Sequence, residues 1–530
     1  MMDIEGFRRA GYAAVDQICD YYASLQGNEH PVAAQVEPGF LSKLIPSEAP
    51  QHGEDWSVIE QDYQTKIMPG ITHWQAPNFM AYYPCNATFE GGLADLHAAM
   101  ISNPGFNWTC SPSVTELEII TLDWVAKVLG LSDDFLSTSP SGLGGGIILG
   151  SASEVCVTMA IGARERALRA LAEEHPPPQT DSTNSAAAGP SNAAKAIAAS
   201  ATVLANSALS KWRGNLASRL VMYGTTQTHS IAAKAAIILG LDFRALEVTK
   251  EDGFALRGAT LRAALLEDQS VGRVPFMLVA SLGTTSSGAV DNLQEITEVA
   301  KDFPSLWVHV DAAYAGVALA LPELREQCYS DALRHVDSFS TNLHKWGLVQ
   351  FDCSPLFLRD RGVLSSALTV TPEYLRTRQG DAGSVLDMRN MQIPLGRRFR
   401  SLKIWFVLRS YGVQGFQEHI RRGIKCADVF AGLMGEDERF EMVAPPNFAL
   451  RVFRLTSAGA AGGEDVDALN RRFWDMLQTR NSELLLTQTV LPDVGFCIRL
   501  VPGSTLCREE HMHAAWKVVK ECADKTLGVQ

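Results

Sequence analysis

Short apolar runs that alternate with helical patterns between residues 89 and 389 constrain the fold more than any other feature of the sequence. Four of the runs have strand length, and their apolar character indicates strands covered on both faces, as in a parallel sheet. Between them, SIAAKAAIILG (230–240) ends on a glycine and is typical of a crossover helix. The sequence therefore predicts an α/β fold on a mostly parallel central sheet. The predicted strands are RLVMYG (219–224), FMLVASLG (276–283), LWVHVDAA (306–313) and DSFSTN (337–342).

Two further regions flank this α/β region, so three domains are expected. Residues 1–88 are predicted to form a helical segment broken by prolines, and residues 390–530 a smaller α+β domain. The large domain spans 89–389 and carries a Pro-, Ser- and Ala-rich insertion at 174–210, which we interpret as a mobile surface segment. Apolar residues at helical spacing give the first helix one apolar face, which predicts a packing partner such as another subunit. They are Phe7, Val15, Ile18, Tyr22 and Leu25.

Composition and charge exclude several classes of protein. The chain has 530 residues, 46% of them hydrophobic, and its net charge of −13 is unlike the basic surface of nucleic-acid-binding proteins. Ten cysteines are scattered without a Cys-x-x-Cys pair, which argues against a zinc or redox motif. No secretory signal pattern opens the chain, and no apolar run has the length that spans a bilayer. We therefore expect a cytoplasmic protein in a reducing setting, without a nucleic-acid or membrane partner.

A glycine-rich stretch leads into a capped helix in GLGGGIILGSASEVCVTMAIGARERAL (142–168). Ser151 and Glu154 have the spacing of a capping box, and the free backbone N–H groups at such a helix start attract phosphate. The alternative is an ordinary well-capped helix without a ligand. The stretch matches neither the P-loop nor G-x-G-x-x-G, so an NTPase or a dinucleotide fold is not favoured.

Reactive side chains follow other element ends. Asp311 ends the predicted strand LWVHV, His229 lies between a strand and a helix, and Lys345 follows a strand in TNLHKWG (341–347). In an open α/β sheet such ends line one crevice. Each residue alone has an ordinary explanation, such as a surface lysine or a structural histidine. His309 shares a strand face with Asp311, but no third ligand is suggested, so no metal site is expected.

Taken together, these groups form the working set of a pyridoxal 5′-phosphate (PLP) site. A helix start binds the phosphate, and a flat side chain stacks on the ring. An acid keeps the pyridine nitrogen protonated, and an amine forms a Schiff base with the aldehyde. The predicted set is the helix start at Ser151, with His229, Asp311 and Lys345.

Seven long motifs spread over nearly the whole chain are specific to one family. They are VEPGFLSKLIP (36–46), IMPGITHWQAPNFMAYYP (67–84), CSPSVTELE (110–118), GSASE (150–154), HVDAAYAG (309–316), NLHKW (342–346) and QIPLGRRFRSLKIWFVLRSYGVQG (392–415). Through them the chain resembles the aromatic-L-amino-acid decarboxylases, which are group II PLP decarboxylases of fold type I. The resemblance implies a seven-stranded central sheet. It also implies a homodimer with active sites at the subunit interface, in which the N-terminal helices wrap the partner.

The resemblance implies roles position by position. Lys345 would bind PLP covalently, and Asp311 would pair with the pyridine nitrogen. Ala313 and His229 would lie against the two ring faces, and Thr284 would lie near the cofactor. Contacts to the phosphate are implied for Ser151, Ala152, Ser153, Asn342 and His344. The implied substrate pocket consists of Trp74, Tyr82, Tyr83, Pro84, Cys85, Phe106 and Gly383.

A mobile catalytic loop is implied at TVTPEYLRTRQGDAG (369–383), with Tyr374 where decarboxylases of this family place a tyrosine. A phenol there would protonate Cα after carbon dioxide leaves, whereas phenylalanine resembles the relatives that make aldehydes with oxygen. Tyr374 and His229 are therefore the implied catalytic partners of Lys345 and Asp311. Decarboxylation of an aromatic L-amino acid to its amine is favoured over the alternative, an aromatic acetaldehyde synthase.

Departures from the family pattern bear on the substrate. Cys85 replaces a threonine that animal relatives place near the catechol, which weakens the expectation of dihydroxyphenylalanine. Gly383 is interpreted as the glycine that plant relatives use for indole rings. Both favour tryptophan or 5-hydroxytryptophan, with phenylalanine, tyrosine and dihydroxyphenylalanine as alternatives. Leu343 replaces a frequent proline and has no functional interpretation. A histidine or glutamate decarboxylase is disfavoured by the aromatic pocket, and a non-catalytic protein by the complete reactive set.

Overall fold

The computed structural model describes residues 2–177, 206–457 and 465–529 of the chain. Most of the insertion predicted at 174–210 therefore lies outside the described residues. Its last residues belong to a helix that covers 206–217.

A seven-stranded sheet forms the centre of the large α/β region, with the order β1-β7-β6-β5-β4-β2-β3. Strands β3, β2, β4, β5 and β6 are parallel, whereas β7 runs antiparallel to both β6 and β1. The predicted fold class, α/β of fold type I with a mostly parallel seven-stranded sheet, is confirmed. The strands are β1 (Gly145–Leu149), β2 (Leu220–Thr225), β3 (Asp242–Leu246), β4 (Val274–Ser281), β5 (Trp307–Asp311), β6 (Ser338–Ser340) and β7 (Ser354–Leu358).

Alternate residues along each central strand pack on opposite faces of this sheet. Met277 and Val279 face one core, whereas Leu278 and Ala280 face the other. Helices α5 and α7 cover the first face, and α4, α8, α9 and α13 cover the second. The helices are α1 (Ile4–Gln26), α2 (Trp56–Asp62), α3 (Phe89–Ile101), α4 (Pro112–Leu129), α5 (Ala152–Glu174), α6 (206–217), α7 (Ile231–Leu239), α8 (Gly258–Ser270), α9 (Leu293–Ala300), α10 (Leu343–Trp346), α11 (Gly362–Leu368), α12 (Arg378–Asp381), α13 (Ser401–Gly435), α14 (Val466–Gln478) and α15 (Glu509–Leu527).

A second sheet of four antiparallel strands lies in the C-terminal part of the chain, in the order β10-β11-β9-β8. Helices α13, α14 and α15 bury its apolar side chains. Helix α13 is interrupted at Gly412, where φ is +64°. The strands are β8 (Phe440–Met442), β9 (Arg451–Leu455), β10 (Thr487–Leu491) and β11 (Gly495–Leu500).

The aromatic segment 72–88 connects the two sheets. The Met80 N–H donates to the Leu485 carbonyl, and the Met80 carbonyl accepts from the Val501 N–H. At its other end, the Asn86 N–H donates to the Lys345 carbonyl at 3.2 Å. This segment, predicted as part of an N-terminal unit, is thus packed between the small sheet and the α10 region. The boundaries at 88 and 389 stay predictions.

The N-terminal helices present uncovered apolar faces. On α1, Phe7, Val15 and Ile18 are exposed, and only Leu25 of the predicted apolar face is buried. Helix α3 likewise exposes side chains at helical spacing. These are Phe89, Leu93, Leu96 and Met100. Apolar faces of this extent on two neighbouring helices are typical of an interaction surface.

Candidate active site

A cavity of about 210 Å³ lies where β2, β4, β5 and β6 end and α5 begins. Nine of the ten predicted cofactor-binding residues line it, and His344 is the exception. Because parallel strands present their carboxyl ends at one edge of the sheet, residues distant in sequence meet here. The lining residues are Tyr83, Ser151, Ala152, Ser153, His229, Ile231, Ser281, Gly283, Thr284, Thr285, Asp311, Ala313, Tyr314, Asn342 and Lys345.

The start of α5 supplies polar groups to one end of the cavity. Ser151 is the N-cap, and its Oγ accepts from the Glu154 N–H at 3.2 Å. The Glu154 carboxylate accepts a hydrogen bond from the Gly150 N–H at 2.8 Å, one residue earlier than a capping box requires. The first-turn N–H groups of Ala152 and Ser153 have no partner within the helix. With two serine hydroxyls and the dipole of a 23-residue helix, this end of the cavity fits a phosphate.

The glycines before this helix contribute mainly to strand packing. Gly145 and Gly146 belong to β1, which separates them from the helix start. A Cβ at Gly146 would lie 2.5 Å from the Leu356 carbonyl oxygen on β7. The glycine run therefore permits close strand packing, and only Gly150 adjoins the phosphate-binding end.

The end of β5 places a carboxylate opposite this helix start. Asp311 is 8% exposed, and its Oδ1 accepts from the Ala313 N–H at 3.0 Å. The Ala313 carbonyl in turn accepts from the Asn342 N–H at 3.0 Å, which joins the ends of β5 and β6. The Asn342 side chain accepts from Ser354 Oγ at 2.8 Å. A fixed acid at the base of the cavity fits a pyridine nitrogen that must stay protonated.

Lys345 lies in the four-residue helix α10, immediately after β6. Its amine lines the cavity, 5.4 Å from the centroid of the Tyr83 ring, so a simple surface lysine is excluded. Burial lowers the pKa of Lys345 below its ordinary value, while Asp311 acts in the opposite direction. Leu343, at the start of α10, is 3% exposed and packs in the core of the sheet. This packing fixes the short helix that presents the lysine.

The two predicted histidines differ in position. His229 lines the cavity after β2, and its Nδ1 accepts from the Ile231 N–H at 3.3 Å. Desolvation lowers the pKa of His229, Asp311 opposes this, and Lys345 adds to it. His344 is buried outside the cavity, where its Nδ1 accepts from the Cys353 N–H at 2.9 Å. Burial lowers the pKa of His344 to about 4, so the ring is neutral at physiological pH.

The predicted aromatic pocket is divided in this chain. Tyr83 lines the cavity. Burial raises the pKa of the Cys85 thiol, and the nearby amine of Lys345 acts in the opposite direction. Trp74 and Tyr82 stack on each other at 5.6 Å and are 39% and 55% exposed. They do not line the cavity, and neither does the half-buried Phe106. Pro84 also lies outside the lining and packs toward Gly503.

The predicted catalytic loop lies at the surface of the chain. Tyr374, in the turn Glu373–Leu375, is 81% exposed and does not line the cavity. Gly383 has φ of +63°, and no atom of the described residues would lie within 4 Å of a Cβ at this position. Its backbone conformation accounts for the glycine, so the residue gives no independent information on ring size.

Sequence reasoning missed two residues around this cavity. Tyr314 stacks between Tyr83, at 3.8 Å, and Trp346, at 5.2 Å. Its motif HVDAAYAG was recognised, but nothing in the pattern assigned the tyrosine a partner. Arg499 on β11 lies with its guanidinium carbon 5.1 Å from the Tyr83 centroid. No local signal in the sequence points from β11 to this cavity, because only tertiary packing brings them together.

Metal ligation is not supported by the groups present. No cluster of three or more His, Cys, Asp or Glu side chains suited to a metal occurs in the part of the chain that the structure describes. His309 has Nδ1 2.8 Å from Ser338 Oγ and Nε2 3.3 Å from Ser340 Oγ. Both ring nitrogens are therefore engaged in hydrogen bonds.

None of the described helices combines the length and apolar character needed to cross a bilayer.

Comparison with known proteins agrees with this geometry. The family model described as pyridoxal-dependent decarboxylase conserved domain matches residues 38–204 and 181–456. The chain is 40% identical to tyrosine decarboxylase 4 of Petroselinum crispum, covering 99% of this chain and 95% of that protein. It is 39% identical to phenylacetaldehyde synthase of Arabidopsis thaliana, covering 99% and 97%. The crystal structure of Oryza sativa TDC with PLP and tryptamine superimposes with a TM-score of 0.87 at 35% identity, covering 99% of both chains. The chain belongs to the pyridoxal-dependent decarboxylase family.

Proposed function

We propose that this enzyme decarboxylates an aromatic L-amino acid to its arylalkylamine, using pyridoxal 5′-phosphate. One observation carries the proposal. The start of α5, His229, Asp311 and Lys345 converge on one cavity from four separate elements. These are the phosphate site, stacking partner, acid and amine that the cofactor needs. Relatives that act on aromatic amino acids, at 39–40% identity over nearly the full chain, support the substrate class.

Each residue has a defined role in this proposal. Ser151 and Ser153, with the N–H of Ala152, hold the phosphate at the helix start. Asp311 would hold the proton at the pyridine nitrogen, and Ala313 and His229 would flank the ring. Thr284, with Asn342, closes the cavity around the cofactor, and His344 supports this region from outside the cavity through its bond to the Cys353 backbone.

The chemistry divides between the cofactor and the chain. When bound, pyridoxal phosphate supplies an electron-accepting ring that takes up the electron pair released as the carboxylate leaves. Lys345 supplies the amine that anchors the cofactor. Tyr374 delivers the proton to Cα of the substrate, assisted by His229. Closure of the loop 369–383 excludes water while this proton is transferred.

A homodimer would complete this site. Tyr374 lies at the surface of its own chain, and Phe106 lies outside the lining of the cavity. The apolar faces of α1 and α3 are exposed in one chain and are suited to cover a second copy. We propose that Tyr374 and Phe106 reach the cavity of the partner subunit.

Ten free cysteines support the predicted cytoplasmic setting.

The preferred substrate is proposed to be tryptophan or 5-hydroxytryptophan. Cys85 offers a thiol close to Lys345, and a thiol is a poorer hydrogen-bond partner for a catechol than a hydroxyl. A solved relative at 35% identity holds tryptamine with PLP. Phenylalanine, tyrosine and dihydroxyphenylalanine are the competing substrates. The runner-up activity is an aromatic acetaldehyde synthase, since a phenylacetaldehyde synthase is 39% identical.

Product analysis tests this proposal. The loaded enzyme is incubated separately with tryptophan, 5-hydroxytryptophan, tyrosine, phenylalanine and dihydroxyphenylalanine, and amine, aldehyde and hydrogen peroxide are measured. Amine without peroxide, greatest for the two indoles, is the expected result. Aldehyde with equimolar peroxide would instead show that the enzyme is an aromatic acetaldehyde synthase. Absence of both products with all five amino acids would contradict the assigned substrate class.

A further inference from the structure

One aromatic ring beside the candidate active site lies close to two cations. The Lys345 amine is 5.4 Å from the centroid of the Tyr83 ring, and the Arg499 guanidinium carbon is 5.1 Å from the same centroid. Tyr314 stacks on this ring at 3.8 Å and occupies one of its faces. The two cations therefore share the remaining space around Tyr83. An aromatic ring attracts each cation, but the cations repel each other in the low-dielectric interior.

Arg499 is held in place by neutral groups alone. It is 4% exposed, and its two terminal nitrogens donate to Thr487 Oγ1 at 3.1 Å and to the Tyr82 carbonyl at 3.2 Å. Its Nε has no hydrogen-bond partner within the described ranges of the chain. In the part of the chain that the structure describes, no carboxylate lies within ion-pair distance of this guanidinium. Its positive charge is thus buried without a neutralising acid.

A neighbouring arginine shows the usual arrangement. Arg451, on β9 of the same small sheet, is 1% exposed and forms an ion pair with Asp428. It also donates to the carbonyls of Phe448 and Leu450. A buried charge is costly unless it is paired. An unpaired buried charge near a candidate active site therefore indicates an electrostatic effect on a neighbouring ionisable group. The ionisable group that shares the Tyr83 ring with Arg499 is the amine of Lys345.

We propose that Arg499 is a positioning residue whose charge keeps the amine of Lys345 in its uncharged, nucleophilic form. The proposal rests on Lys345 being the anchor of the cofactor, as inferred above. Only an uncharged amine can add to a carbonyl carbon, and a second cation nearby disfavours the ammonium form. Burial is the largest influence that lowers the pKa of Lys345, and the charge of Arg499 acts in the same direction.

Other groups that face Lys345 act on it as well. Asp311 from β5 and Cys85 from the aromatic segment raise the pKa of Lys345, so they oppose Arg499. His229, after β2, is also within electrostatic reach of the amine, and desolvation lowers the pKa of its own ring. A carboxylate at the base of the cavity is needed for the cofactor, yet it favours the ammonium form of Lys345. Burial and the charge of Arg499 both act against that effect.

Competitive labelling of lysines tests this inference. The full-length chain without cofactor is treated with trace acetic anhydride across a pH series, and mass spectrometry follows the peptide containing Lys345. The exposed Lys43 serves as the internal reference. Arg499→Gln keeps donors for both neutral partners but removes the charge, and it should raise the labelling midpoint of Lys345 by about one pH unit. Arg499→Lys keeps the charge and should leave the midpoint near that of the wild type.

Control variants separate this effect from a structural one. Arg454→Met removes another small-sheet arginine, one paired with Glu441, and should not move the midpoint. If Arg499→Gln fails to give a native circular dichroism spectrum, Arg499→Met is the second uncharged variant. An unchanged midpoint in a folded uncharged variant, or an equal shift in Arg499→Lys, would overturn the proposal. Borohydride reduction of the loaded wild type tests the anchor separately. An adduct on another lysine would overturn the role of Lys345, while the midpoints would still measure the effect of Arg499.

Discussion

Replacing Glu118 by glutamine should destabilise the large domain by about 3–5 kcal/mol, because it breaks a buried ion pair by removing one charge. Glu118 is 1% exposed, and its Oε1 accepts from Arg397 Nη2 at 2.5 Å and from the Ile148 N–H at 2.8 Å. The Arg397 side chain is equally inaccessible, and its Nη1 has no hydrogen-bond partner among the described residues. Glutamine can keep one acceptor for Ile148, but it leaves the guanidinium charge uncompensated. A loss of this size raises the unfolding constant by about two to four powers of ten.

The effect should extend to the cofactor site, since Ile148 belongs to β1, the strand that leads into the Ser151 helix start. Urea unfolding followed by fluorescence gives the midpoint and the slope m for each variant. Glu116→Gln, at an exposed position on the same helix, is the matched control and should change stability by less than about 0.5 kcal/mol. The double variant Glu118→Leu with Arg397→Met should recover much of the loss. A Glu118→Gln protein within about 1 kcal/mol of the wild type would refute the reasoning.

Three further predictions follow from the same structure. Lys345→Ala should lose the visible absorbance of bound cofactor, and a band that persisted at full intensity would exclude Lys345 as the anchor. Tyr374→Phe should shift the product from amine toward aldehyde and peroxide, and unchanged amine output would remove the proposed proton transfer. Burial raises the pKa of Asp291 to about 6, so the folded state binds its proton more tightly than the unfolded state does. The Asp291 carboxyl therefore contributes about 3 kcal/mol to the free energy of unfolding when it is protonated. This contribution is present in full below about pH 4 and is lost as the pH rises through 6. Asp291→Asn should remove this part of the stability profile, and a wild-type-like profile in the variant would contradict it.

The parts of the fold that the sequence predicts are those set by local patterns. Apolar runs predicted the strands. Asp311 and Lys345 were predicted as site residues because they follow strand ends, and a parallel sheet gathers its carboxyl ends at one edge. Tyr314 and Arg499 were missed because their partners are set by packing between distant elements. The packing role of Gly146 was also missed, since strand packing requires small residues as much as a ligand does.

The position of the catalytic loop shows the same limit. Tyr374 was predicted as a proton donor, yet a single chain leaves it at the surface. A residue whose proposed partner lies on another subunit gives no periodic or spacing signal for that contact. His344 adds a different case: the motif implied a phosphate contact, whereas its ring bonds to the Cys353 backbone within this chain.

The segment that joins the two sheets has a consequence for synthesis of the protein. Arg499 donates to the carbonyl of Tyr82, a residue 417 positions earlier in the chain. Tyr83, the next residue, forms part of the wall of the cavity. This wall cannot take its final position on a ribosome until β11 has emerged, near the end of translation. A chain that stops before β11 would retain the sheet of the large domain without a finished active site, and that apolar segment would be left open to chaperones and proteases.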